Sequence, residues 1–130
     1  MNILITGGAG YVGSHLVDYL LEKKNIKIFI IDNLSNSQNN IIRYLKKKNK
    51  KRIQFENIDI RNRLKLRNFF SDKDIDIVIH LAAKINAEES FEKNLEYKLI
   101  NLGATKDLIN LSIKKNVKKF IFASSAAVFG

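Results

Sequence analysis

Met1-Asn-Ile-Leu-Ile-Thr-Gly-Gly-Ala-Gly-Tyr-Val-Gly-Ser-His15 decides the fold of this 130-residue chain. Ile3, Leu4 and Ile5 form a short apolar run with a β-branched bias, bounded at once by glycines, and so predict a buried strand. From Tyr11 the apolar spacing turns helical, through Val12, Leu16, Val17, Leu20 and Leu21. A strand that turns on glycines into a helix is a phosphate-binding corner of a dinucleotide fold. The glycines fit two registers, Gly7-x-x-Gly10-x-x-Gly13 and Gly8-x-Gly10-x-x-Gly13. In either register one glycine permits the turn, and the next keeps side chains away from a pyrophosphate. The last lets the helix approach the sheet. The amides at the helix start then face the phosphates, with the positive end of the helix dipole behind them.

Glycine clusters also mark ordinary turns, so the motif depends on its context. That context is a second apolar run, Ile26-Lys-Ile-Phe-Ile-Ile31, ending in Asp32. An acidic residue about twenty positions after the glycine turn, at a strand end, lies where an adenosine ribose would sit. Its carboxylate would accept hydrogen bonds from the 2′-OH and repel a 2′-phosphate, which favours NAD over NADP.

One compact domain is expected at this length. The absence of cysteine excludes a disulfide framework and a thiolate metal site, and no run approaches a membrane span. A cytoplasmic protein is expected, with no metal and no membrane partner. The formal charge is +10, with seven basic and no acidic residues between Arg43 and Arg52 and a second cluster at Lys114, Lys115, Lys118 and Lys119. Base stacking wants aromatics among such residues, and Tyr44 alone stands in the first cluster. These lysines are therefore expected to be solvated surface, and a nucleic-acid-binding module ranks last among the readings.

Further along, Asn33 to Asn40 is polar and rich in turn formers, leading into a helix from Ile41 to about Lys48. Arg52–Phe55 predicts the third strand, and Asn57–Ile60 a loop folding back over an adenine. Arg63–Phe70 predicts a helix with Leu64, Leu66, Phe69 and Phe70 apolar. Ile75–Ile79 predicts the fourth strand, with His80 at its end and Leu81-Ala-Ala83 a small-residue turn. Ser90 is expected to cap one long helix reaching about Lys115, with Leu95, Leu99, Leu102, Leu108, Ile109 and Ile113 buried. Lys119–Ala123 predicts the fifth strand. Five alternations of strand and helix imply a Rossmann-type, doubly wound parallel sheet in the order 3-2-1-4-5, with helices on both faces. Ligands bind such sheets outside the carboxyl ends of the strands, where every polar or glycine-rich segment above falls.

Thr6–His15, Asp32-Asn-Leu-Ser-Asn-Ser37, Asp59-Ile60, Val78-Ile-His-Leu-Ala-Ala83, Glu89-Ser90 and Phe122-Ala-Ser-Ser-Ala-Ala-Val-Phe-Gly130 together resemble the extended short-chain dehydrogenase/reductases, the NAD-dependent epimerase/dehydratase family. The resemblance runs along the whole chain. Asp32–Ser37 and Glu89-Ser90 narrow it toward the nucleotide-sugar 4-epimerases; 4,6-dehydratases, other nucleotide-sugar epimerases and a non-catalytic nucleotide-binding remnant stay open. It implies a tightly held NAD that takes a hydride from C4 of a UDP-hexose while a tyrosine removes the 4-OH proton, and a homodimer. By the same resemblance, Gly7, Gly10, Tyr11, Val12, Gly13, Asp32, Asn33, Ser37, Asp59, Ile60, Leu81, Ala82, Ala83, Lys84, Asn101 and Ser124 would hold NAD. Ser125 would hydrogen-bond the reacting 4-oxygen. His80 is expected to be a structural histidine at a strand end, and His15 a packing residue of the first helix. The chain departs from the family at Ala104, at Ile100, where asparagine is common, and at Lys84, one place early with Ile85 following. The family's Tyr-x-x-x-Lys pair belongs on a helix after the fifth strand. Tyr19/Lys23 and Tyr44/Lys48 match it only by chance spacing, ahead of the third strand. The chain is therefore expected to be the N-terminal, NAD-binding part of such an enzyme, inactive alone, with Phe120–Phe122 an apolar sheet edge.

Overall fold

The computed structural model describes residues 1–37, 39–125 and 128. The elements run β1 (Asn2–Thr6), α1 (Tyr11–Leu21), β2 (Lys27–Asp32), α2 (Asn39–Asn49), β3 (Ile53–Asn57), α3 (Arg63–Ser71), β4 (Ile77–His80), α4 (Ala87–Glu92), α5 (Asn94–Tyr97), a π-helical segment (Lys98–Ala104), α6 (Thr105–Lys114) and β5 (Lys119–Phe122). All strand pairs are parallel, in the order β3-β2-β1-β4-β5. The expected strand order is the observed one. β1 lies between β2 and β4, so the order reverses there and a crevice opens at the carboxyl ends.

Side-chain alternation divides the core into two layers. Ile3, Ile5, Ile28 and Ile30 face one side with Val17 of α1 and Ile42 and Leu45 of α2. Leu4, Phe29, Ile31 and Val78 face the other with Leu66, Phe69 and Phe70 of α3 and Leu108 of α6. The strands are apolar on both faces because both are covered. Leu64, expected to be apolar packing, is exposed at the start of α3.

The segment after β4 departs furthest from expectation. Helix begins at Ala87, capped by Asn86 rather than Ser90, and breaks at Lys93 before α5. Of the residues expected to be buried there, only Leu108 is; Leu95, Leu99, Leu102, Ile109 and Ile113 are exposed. Tyr97, Ile100, Ala104, Thr105, Leu108 and Ser112 face the core instead. Both stripes have helical spacing, so periodicity does not choose between them. The small residues Ala104, Thr105 and Ser112 allow close approach to the sheet. The Thr105 and Ser112 hydroxyls donate to the carbonyls of Asn101 and Leu108, each at 2.8 Å, so their burial leaves no unmet polar group. Ile121 and Phe122 of the edge strand β5 are exposed, whereas Phe120, expected at the same apolar edge, is half-buried against the core. Among the described residues no helix is long and apolar enough to cross a membrane.

Candidate functional site

A cleft of about 330 Å³ opens at the carboxyl ends of β1 to β4. Gly7 and Gly10 line one end. Asp32, Asn33 and Ser37, then Asp59, Ile60 and the Leu81–Lys84 turn, form its walls. Eleven of the seventeen residues named from the sequence thus line one cavity, although they come from four loops. That follows from the topology, since parallel strands in this order deliver all four loops to the same edge.

The glycine loop takes the Gly7/Gly10/Gly13 register. Gly7 has φ +71, and a Cβ on it would lie 2.7 Å from the Ala82 backbone nitrogen. The turns after β1 and β4 therefore meet backbone to backbone. A Cβ on Gly13 would overlap the Gly7 carbonyl oxygen, so the first turn of α1 seats directly on the loop. Gly8 packs toward Ile30 instead. Gly10 is the extended N-cap of α1, and no side chain caps it. In α3 and α4, by contrast, Asn62 and Asn86 accept hydrogen bonds from Lys65 N and Glu89 N, each at 3.0 Å. The α1 start thus leaves first-turn amides, including those of Tyr11 and Val12, for a partner from outside the helix. The Tyr11 and Val12 side chains themselves are exposed.

Asp32 does more than mark a strand end. Its Oδ2 accepts from Ala9 N at 3.0 Å, and its Oδ1 from Leu34 N at 2.8 Å and Ser37 Oγ at 3.1 Å. This 9 % exposed carboxylate ties the glycine loop to the loop after β2. Two oxygens offer about four acceptor positions, so three internal donors leave room for one more. Asn33 Nδ2 donates to Asp59 Oδ2 at 3.1 Å. Arg61 grips Asp59 through Nε at 3.0 Å and Nη2 at 2.7 Å, holding the Asp59 carboxyl down at about 2.

Asn101 and His80 act behind the wall. The Asn101 amide accepts from Lys84 N at 2.9 Å and donates to Lys84 O at 2.8 Å, clamping the turn after β4 from outside the cleft lining. His80 is 1 % exposed. Thr105 Oγ1 donates to Asn101 O, so it accepts from His80 Nε2, 2.8 Å away. Nδ1 is then the acceptor for Thr6 Oγ1 at 2.6 Å. Burial pushes the His80 pKa down to about 4, so the imidazole in the chain Thr6–His80–Thr105–Asn101 is neutral near pH 7. It is a structural histidine; His15, expected to pack, instead lies on exposed helix surface with Nδ1 2.8 Å from Tyr11 O.

Seven of the eighteen lining residues lie outside the set named from the sequence, among them Arg61, Glu96 and Ile100. Arg61 follows Asp59-Ile60 by one position, an i, i+2 carboxylate–guanidinium pair that sequence could have signalled. Nothing local signals Glu96. Ile100 is the apolar wall where the family pattern led to expecting asparagine. The Lys84 ammonium lies 3.4 Å from both Glu89 oxygens and 3.3 Å from Glu96 Oε2. Ser124 and Ser125 follow β5 at the same sheet edge, exposed and outside the cleft lining. Ala126, Ala127, Phe129 and Gly130 of the final motif lie outside the described residues.

A model of the NAD dependent epimerase/dehydratase family matches residues 3–130. A UDP-glucose 4-epimerase of Dictyostelium discoideum is 41% identical over 128 residues, which cover 98% of this chain and 37% of that relative. A UDP-glucose 4-epimerase of Klebsiella pneumoniae is 38% identical over 130 residues, covering 100% of this chain and 93% of the relative. The crystal structure of UDP-glucose 4-epimerase from Bifidobacterium longum in complex with NAD+ and UDP matches with a TM-score of 0.91 at 35% identity, over 100% of this chain and 38% of that one. The chain therefore spans little more than a third of the length of the Dictyostelium relative and of the Bifidobacterium protein.

Proposed function

This chain belongs to the NAD dependent epimerase/dehydratase family, and from that premise we propose that it is the NAD-binding part of a UDP-glucose 4-epimerase. The observation that carries the reading is the uncapped glycine start of α1 opening into a cleft that Asp32 lines beside it. The residues present fit NAD. First-turn amides and the helix dipole receive the diphosphate, with no side chain at Gly10 to obstruct it. Asp32 keeps an acceptor position for a ribose hydroxyl and repels a 2′-phosphate, which supports NAD over NADP. Ile58, Ile60, Leu81 and Ala82 offer apolar walls to a planar base, and Asn33, Asp59 and Ser37 fix the loops around it.

NAD bound there would supply the hydride chemistry that transiently oxidises C4 of a UDP-hexose, interconverting UDP-glucose and UDP-galactose. The chain's own part is to bind, orient and exclude water. Ser125, at the end of β5, is assigned a hydrogen bond to the reacting 4-oxygen, with Ser124 beside the cofactor. Asn101 holds the Lys84 turn against the cofactor from behind. The exposed stripe Leu95, Leu99, Leu102, Ile109 and Ile113 supports a homodimer, because pairing with a second copy would take these side chains out of water. Absence of cysteine supports a cytoplasmic setting.

Titration of the full protein with NADH and NADPH, followed by cofactor fluorescence, tests the reading. Saturable NADH binding that exceeds NADPH binding, with the preference narrowed by Asp32→Ala, is the expected result, together with turnover of UDP-galactose. A wild-type protein that binds neither dinucleotide would overturn it.

A further inference from the structure

Arg61 stands on the loop after β3, and Lys84 on the loop after β4. In the sheet β2 and β1 lie between those strands, so the two loops are about 14 Å apart at their roots. One carboxylate spans the remaining gap. Glu96 Oε1 is 3.7 Å from Arg61 Nη1, and Glu96 Oε2 is 3.3 Å from Lys84 Nζ. All three side chains line the cleft.

Both cations are backed from behind. Asp59 holds Arg61 through two side-chain hydrogen bonds. Glu89 holds Lys84, and is itself held by Lys93 Nζ at 2.6 Å and Tyr97 Oη at 2.8 Å. The backbone of Lys84 is clamped by Asn101. Glu96 is the member without such backing. It sits in the first turn of α5, just past the break at Lys93, where α5 begins before running on into the π-helical segment. The cross-cleft tie is therefore two ion pairs made by the least anchored acid of the set.

We propose that Glu96 is a positioning residue, a latch whose paired contacts to Arg61 and Lys84 close the far end of the cleft and slow the departure of a bound dinucleotide. This rests on the NAD reading above. A ligand leaving past this end separates the two loops and so breaks both pairs. The side chains are 41, 33 and 20 % exposed for Arg61, Glu96 and Lys84, so dissolved salt reaches the pairs and weakens them.

The test is the release rate of NADH from the full protein, chased with excess NAD and followed by cofactor fluorescence at low and high ionic strength. Glu96→Gln keeps the shape and removes the charge. It is expected to speed release on the order of fivefold at low salt, the factor for losing two partly exposed pairs together. High salt is expected to accelerate the wild type until the two rates meet, which loss of a merely structural side chain would not produce. Lys84→Gln is expected to speed release as well, and the double variant to add little to either single one. Equal release rates at low salt, or a difference that high salt leaves unchanged, would overturn the latch while NADH binding stands. A wild type that binds no NADH overturns the NAD reading and the latch with it.

Discussion

Acid should unfold this protein through His80 before it acts through the carboxylates. The folded pKa of His80 is depressed from 6.5 to about 4, because protonation must occur in a buried site between Thr6 and Thr105. The unfolded chain binds this proton first, so stability is full above about pH 7 and falls as pH drops through the window from 6.5 to 4. Linkage between those two pKa values gives a loss of about 2 kcal/mol from pH 7 to pH 5, and about 3 kcal/mol once pH is well below 4. Asp59 and Glu89 act in the same direction but later. Arg61 holds Asp59, and Lys93 with Tyr97 hold Glu89, each down at about 2, so what they contribute is lost only as pH falls below the ordinary carboxylate range, from about 4 toward 2. The interval from pH 7 to pH 5 thus isolates the histidine. The assay is urea denaturation followed by far-UV circular dichroism at a series of pH values, for wild type and His80→Gln. The variant is expected to be less stable at pH 7 by about 1–3 kcal/mol, since Thr6 and Thr105 lose a buried partner, yet nearly flat down to pH 5. A wild-type curve flat over that interval, or a variant that keeps the wild-type slope, would refute the reasoning.

Two further outcomes are expected. The Arg52 guanidinium donates to the carbonyls of Leu20, Leu21, Lys23 and Ile26 at 2.6–3.3 Å, closing the C-terminal end of α1. Arg52→Ala should therefore lower stability by about 2–3 kcal/mol and Tm by about 10 °C in a thermal melt, whereas Lys47→Ala on the exposed face of α2 should change little. If the exposed stripe is a homodimer face, Leu99→Glu with Ile109→Glu should shift the full protein from dimer to monomer in sedimentation velocity; an unchanged sedimentation coefficient would remove that face from the assembly.

Four of the five strands were legible because each is a short, dense apolar run, β3 (Ile53–Asn57) having only Ile53 and Phe55, and the strand order because right-handed crossovers leave few alternatives. The glycine corner was legible as a corner, but its register was not. Gly7 and Gly8 are equivalent until the approach of Ala82 and the positive φ single out Gly7. The basic run from Arg43 to Arg52 read as uniform solvated surface. In the fold Arg52 closes a helix, and Lys48 pairs with Asp18 at 2.5 Å, which raises its pKa to about 12. Composition does not distinguish a lysine facing water from an arginine facing four carbonyls.

The chain alone determined the sheet, its order and the edge on which the loops meet, because those follow from local periodicity and chain handedness. Tertiary structure decided three things that depend on distance rather than pattern. It chose which of two equally periodic stripes after β4 faces the core, since only the one with Ala104, Thr105 and Ser112 is small enough to sit close. It aligned Thr6 with His80 across adjacent strands, making a relay from residues 74 apart. It also set Glu96 between Arg61 and Lys84, because charges on separate loops find each other only after the sheet between them has formed.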